Sequence, residues 1–195
     1  CYINSSADVK AESDVCCTSA NAVKVIESLD TNKVLFVPDQ YLGHYISTKI
    51  DKEMILWPGY CPTHLKIQPE DIINLRSEHP DAKVIVHPEC RPEVIALADE
   101  VLSTGGMCRF AKQTSARVII VGTEVGLIHR LSKENPDKEF IAASQKAVCP
   151  NMKKITLEKM LWALEDMAPE VRVTEEIRVR AKRAVDRMLE IGRVS

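Results

Sequence analysis

A histidine and a glutamate stand two positions apart at the end of an apolar run, in the stretch KVIVHPEC. His87 and Glu89 leave an extended strand on the same face, because strand side chains alternate between faces with a period of two. An imidazole beside a carboxylate suits proton transfer near neutral pH. Alone, His87 would be better explained as a buried core histidine, and the neighbouring Glu89 is what favours a catalytic role.

Seven cysteines occur, and two of them stand in matching contexts, GYCPTH and AVCPNM. Cys61 and Cys149 each precede a proline and lie 88 positions apart. Thiolates bind soft metals and iron–sulfur clusters, so two such loops facing each other predict a metal centre. Two ligands are too few, and we expect a third cysteine upstream, since the chain opens without an initiator methionine. His64, three residues after Cys61, is close enough to share the site.

The elements that must position these residues alternate along the chain. Eight short runs rich in β-branched residues predict strands, at 1–4, 14–17, 33–37, 53–57, 83–87, 100–103, 117–121 and 139–143. Segments with helical spacing lie between them, and Pro69 and Pro92 suit first-turn positions. Apolar strands that alternate with helices predict an α/β fold with short parallel sheets covered on both faces.

The chain repeats itself at an interval of 84 to 88 residues. KVLFVPDQYLGHYI corresponds to RVIIVGTEVGLIHR, and EMILWPGYCP corresponds to EFIAASQKAVCP, which indicates two domains of the same fold. Ligands of such folds bind beyond the carboxyl ends of the strands. There, Thr18 and Ser19 correspond to Ser103 and Thr104, at helix starts whose free N–H groups favour anions. Helix capping explains one such pair, and two equivalent pairs leave both interpretations open.

The composition argues against several classes of protein. The formal net charge is −2, and the most basic stretch, 178–187, alternates with acids and apolar residues, so we expect no nucleic-acid partner. No apolar run reaches the length of a membrane span, and no signal peptide opens the chain. An odd number of cysteines in a chain with 45% hydrophobic residues indicates reduced cytoplasmic thiols. Cys16, Cys17 and Cys108 are interpreted as packing residues.

The chain resembles the quinolinate synthase family in six stretches, which occur in this order: YINSSADVKAESDVCCTSANAV, GYCPTH, DAKVIVHPEC, STGGM, VGTEVGLIHRL and AVCPNMKKITLE. The resemblance runs through nearly the whole chain. It implies three-layer αβα domains in a pseudo-threefold arrangement, with the first domain missing from this chain. Residues 1–62 and 63–150 would be the second and third domains, and residues 151–195 would be helices that pack toward the first.

The resemblance also implies the roles of particular residues. Cys61 and Cys149 would be two of the three cysteines, one from each domain, that hold a 4Fe–4S cluster. His87, Glu89 and Tyr2 would serve the acid–base steps. The residues implied to contact the substrates are Tyr2, Asn4, Ser19, His64, His87, Glu89, Ser103 and Thr104.

The implied activity is the condensation of iminoaspartate with dihydroxyacetone phosphate to quinolinate, with loss of phosphate and water, by a cytoplasmic transferase of NAD biosynthesis. One iron of the cluster would act as a Lewis acid. An L-aspartate oxidase or dehydrogenase would supply the iminoaspartate. Two other interpretations stay open. One is a fragment or module that binds a phosphorylated metabolite through Ser19 and Thr104 without chemistry. The other, disfavoured because C-x-x-C spacing is absent, is a structural zinc protein.

Overall fold

The computed structural model of the chain describes residues 1–193, which form two parallel β-sheets with helices around them. The first sheet pairs β1 (Lys33–Phe36) with β2 (Glu53–Leu56). The second sheet has the order β4-β3-β5-β6, and its neighbours are parallel throughout. Its strands are β3 (Lys83–Val86), β4 (Glu100–Val101), β5 (Val118–Gly122) and β6 (Glu139–Ala142). The predicted α/β fold with short parallel sheets is confirmed.

Helices connect the strands and follow the second sheet. They are α1 (Ala7–Ala11), α2 (Ala22–Glu27), α3 (Gln40–Ser47), α4 (Pro69–Glu78), α5 (Pro92–Ile95), α6 (Thr104–Gln113), α7 (Gly126–Glu134), α8 (Leu157–Asp166) and α9 (Glu175–Arg193). Prolines begin α4 and α5 as predicted, because the fixed φ of proline suits the first turn, where its missing N–H is not needed. Short 3₁₀ turns follow the two matched cysteines, at His64–Lys66 and Met152–Lys154.

The two N-terminal strand predictions, at 1–4 and 14–17, differ from the structure. These segments meet at an isolated parallel bridge between Tyr2 and Cys17, beside the end of β1. The chain leaves the sheet directly after Tyr2 because Ser6 caps α1, its hydroxyl accepting a backbone N–H of the first turn. The β-branched pattern therefore marks a sheet contact one residue long, and that contact still delivers Tyr2 to the carboxyl end of the sheet.

Alternation along the strands of the second sheet creates two cores. Val84 and Ile120 face one side, where they pack with buried residues of α4 and α5. Ile85 and Ile119 face the other side, where they pack with α6 and α7. Each fully buried aliphatic side chain contributes about 1.5–3 kcal/mol relative to its exposed state. The second sheet is therefore the middle layer of a three-layer αβα arrangement.

α9 packs against α1 and α2, beside the first sheet. Ala184 and Met188 join the core beneath β1, and the Cys16 N–H donates to the Ala184 carbonyl at 3.0 Å. α8, in contrast, has no buried residue. The boundaries at 62 and 150, and the packing of residues 151–195 toward a further domain, stay predictions.

The helices are amphipathic or polar rather than apolar throughout. α9 is 19 residues long and opens with Glu175 and Glu176. Among residues 1–193, no helix combines the length and the apolar character that a membrane span requires.

A side chain at position 59 should destabilise the protein, because Gly59 lies against the backbone of the neighbouring segment. A Cβ added at Gly59 would lie 2.3 Å from the carbonyl oxygen of Pro38. We expect Gly59→Ala to lower the free energy of unfolding by about 1–3 kcal/mol, since backbone must move to admit the methyl group. Gly105→Ala is the control, because its methyl group would meet only the Arg109 guanidinium at 3.7 Å. Urea unfolding of both variants tests this, and equal stabilities would contradict it.

Candidate active site

An open cavity of about 410 Å³ lies where loops from the carboxyl ends of both sheets meet. Six residues that were predicted from the sequence line it: Tyr2, Ser19, His64, His87, Glu89 and Thr104. They come from the N-terminal segments beside the first sheet, from the segment after β2, from the turn after β3 and from the start of α6. Parallel strands place their carboxyl ends at one edge, which is why segments far apart in sequence converge here.

His64 and Glu89 form a buried ion pair in this cavity. His64 Nδ1 lies 3.0 Å from Glu89 Oε2, in a contact outside the angle of a well-formed hydrogen bond, and Nε2 lies 2.9 Å from Thr123 Oγ1. Burial alone would lower the pKa of His64, but the adjacent Cys61 and Glu89, which favour the protonated ring, outweigh burial and raise the pKa to about 9. Burial acts to raise the pKa of Glu89, but the neighbouring histidines, His64 above all, hold it below its usual value. At neutral pH the pair is therefore an imidazolium and a carboxylate.

His87 stacks on His64, and its ring is neutral whereas that of His64 is positively charged. The ring centroids are 4.6 Å apart at an interplanar angle of 20°. Burial, and then the charge on His64, lower the pKa of His87 to about 4. The Glu89 backbone N–H donates to Nδ1 at 3.3 Å, so we assign the ring proton to Nε2, which donates to Ser19 Oγ at 3.2 Å.

Tyr2 is a third proton-bearing side chain in this cavity, beside Ser19 and His87. Burial, and then the charge of Glu89, raise the pKa of Tyr2 above its usual value, although the nearby Ser19 hydroxyl acts in the opposite direction. Tyr2 therefore stays protonated at neutral pH. Tyr2, Ser19 and His87 thus place a phenol, a hydroxyl and a neutral imidazole along one cavity, where Ser19 and His87 are hydrogen-bonded.

The two matched cysteines lie beside this cluster, and their loops meet. We call residues 57–63 the Cys61 loop and residues 143–151 the Cys149 loop. Cys61, His64 and Glu89 each place a potential ligand atom within 4.8 Å of the others. The two loops are neighbours: the Lys66 ammonium, just after the Cys61 loop, donates to the Val148 carbonyl of the Cys149 loop at 3.3 Å. A hydrogen bond from the Met152 backbone N–H is the main reason that the pKa of Cys149 lies below its usual value, and the nearby Thr63 hydroxyl helps to lower it.

The chemistry of these donors fits a thiophilic metal or an iron–sulfur cluster. Both thiols are free and half-exposed, and Cys149 is biased toward the thiolate that binds metal. The cysteines that were predicted to be packing residues, Cys16, Cys17 and Cys108, are buried, and burial raises the pKa of Cys17 to about 11. Cys90 of the HPEC stretch turns into the core, where its thiol donates to the Gly122 carbonyl at 3.5 Å. The structure thus separates Cys61 and Cys149 from the buried thiols.

Three sequence-predicted residues lie elsewhere or act differently. Ser103 caps α6, accepting the Gly106 N–H at 3.1 Å, and only its neighbour Thr104 lines the cavity. Asn4 is exposed on the turn after Tyr2 and does not line the cavity. Ser19 is not a helix cap, since α2 begins at Ala22, and its hydroxyl is free to meet His87. A substrate role for Asn4 and Ser103 stays a prediction.

The structure adds three polar residues that the sequence reasoning did not single out. Thr123 contacts His64, and two buried carboxylates, Asp39 and Glu124, accept the backbone N–H groups of Cys61 and Cys149. The available signal was position, since Asp39 and Glu124 follow corresponding apolar strands in the two repeats.

The fold and the site define an α/β protein with parallel sheets. Loops at the carboxyl ends of its strands carry a histidine–glutamate cluster and two free thiols that are able to bind a metal. The chain belongs to the quinolinate synthetase A protein family, whose model matches residues 1–190. Three relatives carry the name quinolinate synthase. Those of Dehalococcoides mccartyi strain CBDB1 and Geotalea uraniireducens are 62% and 56% identical, each over 98% of this chain and 63% of the relative. Quinolinate synthase 1 of Methanosarcina acetivorans is 54% identical over 97% of this chain and 62% of its own length. The chain therefore spans a little under two thirds of the length of these relatives.

The lowered pKa of His87 predicts that the stability of the protein depends on pH. With a pKa of about 4 when folded and near 6.5 when unfolded, His87 binds a proton only in the unfolded chain between these values. Stability should therefore fall by about 2 kcal/mol between pH 7 and pH 5 because of this group. His64 has the opposite shift, so its contribution is complete below pH 6.5 and is lost as the pH rises through 9.

Urea unfolding at pH 7 and pH 5 checks this expectation. His87→Gln keeps a donor toward Ser19 and should remove most of the loss at pH 5. His129→Gln, on the exposed side of α7, is the control and should behave as the unsubstituted chain does. An unchanged pH dependence in His87→Gln would contradict a neutral, buried His87.

Proposed function

We propose that this chain forms the acid–base and two-cysteine part of a quinolinate synthase, which condenses iminoaspartate with dihydroxyacetone phosphate to quinolinate with loss of phosphate and water. One observation carries the proposal: the two repeated loops each hold a free, partly exposed thiol, and one of them, Cys61, lies within 4.8 Å of the ligand atoms of the buried His64–Glu89 pair. The shared name of the relatives, quinolinate synthase, supports the proposal, and the reaction would belong to NAD biosynthesis. The enzyme would act in the cytoplasm, and an L-aspartate oxidase or dehydrogenase would supply iminoaspartate.

Cys61 and Cys149 are assigned as two of the three cysteine ligands of a 4Fe–4S cluster. Cysteine thiolates are the usual ligands of such clusters, and these two thiols are free and partly exposed. When bound, the cluster supplies a Lewis-acidic iron that polarises a substrate oxygen. Pro62 and Pro150, directly after the cysteines, limit the backbone freedom of both loops.

The cavity is equipped to hold anionic substrates. Iminoaspartate carries two carboxylates and the second substrate carries a phosphate, so cationic and hydroxyl donors are required. The His64 imidazolium supplies a buried positive charge, and Thr123, Ser19 and Thr104 supply hydroxyl groups around it. Arg130, at the rim of the same cavity, adds a second cation.

Ring formation also requires protons to be removed from carbon and nitrogen and delivered to leaving oxygen atoms. Glu89 is held ionised by His64, so its Oε2 is ready to accept a proton. The adjacent His64 Nδ1 is able to donate one. Tyr2, Ser19 and His87 form a second path, in which the Tyr2 hydroxyl donates and the neutral His87 relays. One path consists of charged side chains and the other of neutral ones, and this combination suits a reaction with several proton transfers.

The test is the content of iron, acid-labile sulfide and zinc in the protein purified without oxygen. We expect about four iron and four sulfide per protein and little zinc. Cys61, His64 and Glu89 are also able to bind a single zinc, so zinc is counted in the same sample. Protein that contains neither iron nor sulfide after anaerobic reconstitution would contradict the synthase and leave a module that binds a phosphorylated metabolite.

A further inference from the structure

A buried carboxylate connects the Cys61 loop to the first turn of α3. Asp39, 5% exposed, directly precedes this helix at the carboxyl end of the first sheet. Its Oδ1 accepts the Leu42 N–H at 2.8 Å, and its Oδ2 accepts the Cys61 N–H at 2.8 Å. Both oxygens are therefore occupied by backbone donors from different segments. A helix cap requires only one of them, so the bond to Cys61 is a separate feature.

The second sheet contains the same connection. Glu124, 8% exposed, follows β5 and precedes α7. Its Oε2 accepts the Gly126 N–H at 2.7 Å, and its Oε1 accepts the Cys149 N–H at 3.2 Å. Lys153 adds an ion pair, with Nζ 3.1 Å from Oε1. Again one carboxylate joins the start of a helix to the backbone of the cysteine in the next loop.

The two connections are equivalent in space although the aligned residues differ. Matching β1 with β5 places Asp39 opposite Thr123 and Gln40 opposite Glu124. In the aligned repeats, Glu124 lies one position after the place that corresponds to Asp39, and its side chain is one methylene longer. Each carboxylate nevertheless accepts the N–H of the corresponding cysteine. Two different side chains that reach the same arrangement indicate a requirement on the cysteine backbone rather than a shared ancestral residue.

We propose that Asp39 and Glu124 are positioning residues that fix the direction of the Cys61 and Cys149 side chains by holding the backbone N–H of each cysteine. The inference rests on the proposed function only in assigning the two thiols to a cluster. Metal ligands are held in place by hydrogen bonds from groups behind them, whose loss typically weakens metal binding 10–100-fold. Here the supporting group acts on the ligand's backbone, and each helix start anchors the carboxylate in turn.

The experiment compares alkylation of the two cysteines in the cluster-free protein, prepared with a chelator and kept reduced. The variants are Asp39→Asn and Glu124→Gln, whose amides offer one acceptor where the carboxylate offers two, so one N–H must lose its partner. Asp99→Asn is the matched control, because Asp99 also accepts a backbone N–H, from Val84 at 2.8 Å, but contacts no cysteine. Iodoacetamide labelling of Cys61 and Cys149 is followed separately by peptide mass spectrometry.

We expect a crossed pattern. Asp39→Asn should speed alkylation of Cys61 by about threefold or more and leave Cys149 unchanged, and Glu124→Gln should do the reverse. Asp99→Asn should change neither rate. Equal acceleration of both cysteines in either variant would indicate general loosening and overturn the proposal, as would unchanged rates in both. If an amide variant does not fold, Glu124→Asp, which keeps the charge and shortens the reach, should still accelerate Cys149 alone.

Iron and sulfide content separates this inference from the proposed function. After anaerobic reconstitution, each amide variant should lose its cluster to a competing chelator about 10-fold faster than the unsubstituted protein. Unsubstituted protein that never binds iron would refute the proposed function, whereas the crossed alkylation pattern, measured without metal, would still stand. A normal cluster in all variants together with unchanged alkylation would overturn only the positioning role.

Discussion

Replacing Cys61 or Cys149 by alanine should abolish quinolinate formation and remove most of the bound iron and sulfide. Both thiols are assigned as cluster ligands, and a cluster deprived of one protein thiolate loses an iron site or fails to assemble. The loops should otherwise stay in place, because their backbones are held by Asp39 and Glu124 rather than by the thiols themselves. The measurements are quinolinate produced anaerobically and iron and sulfide per protein.

Cys108→Ala is the control for the loss of a thiol without the loss of a ligand. Cys108 is buried in α6 within the core of the second sheet, and its replacement should lower the melting temperature slightly while the iron content stays the same. Full activity in either Cys61→Ala or Cys149→Ala would refute the ligand assignment for that residue. Loss of iron in Cys108→Ala to the same degree would show that the assay reports folding rather than ligation.

Glu89→Gln should lower the turnover number by about 10²–10⁴-fold while the iron content remains normal. The substitution keeps the shape of the side chain and removes the group proposed to accept protons. Glu89 is the carboxylate that contacts both histidines, at 3.0 Å from His64 and 3.7 Å from His87, and its side chain is only 12% exposed. Single-turnover assays under anaerobic conditions, with iron and sulfide measured on the same preparation, test this expectation.

Glu93→Gln provides the comparison, since Glu93 lies four residues further on at the exposed side of α5. It should turn over at the normal rate. A normal rate in Glu89→Gln would remove Glu89 from the acid–base role and leave the Tyr2–Ser19–His87 line as the route for protons. A parallel loss of iron would instead mean that Glu89 supports the metal centre, to which its oxygen is close.

Much of the fold was predictable because its signal is local. Buried parallel strands need apolar, β-branched residues at successive positions, and helices need spaced apolar residues with proline or a cap at the start. These patterns identified β3, β5 and β6 and the helices α4 and α7. They failed at 1–4 and 14–17, where the residue types suit a strand but the following turn limits pairing to one bridge.

Much of the candidate site was also accessible from the sequence, through repetition and family resemblance. The paired contexts of Cys61 and Cys149 singled out these two thiols among seven, and in the structure Lys66, just after the Cys61 loop, donates to the Val148 carbonyl of the Cys149 loop. The HPEC stretch is both the end of a buried strand and part of the cavity, with His87 and Glu89 lining it and Cys90 in the core. The strand alternation expected from the sequence does not explain that division, because β3 ends at Val86 and residues 87–90 form a turn, in which the Cys90 N–H donates to the His87 carbonyl at 3.0 Å.

The sequence by itself determined the parallel α/β fold, its repetition and the residue types gathered at the strand ends. Only the tertiary structure decided which side chains touch. His64 and His87, from different loops, stack and take opposite charge states because burial and a single carboxylate act on both. Asp39 and Glu124 hold the cysteine backbones from positions that do not align. The physical reason is that periodicity is encoded over a few residues, whereas such contacts depend on side-chain reach and direction across two packed sheets.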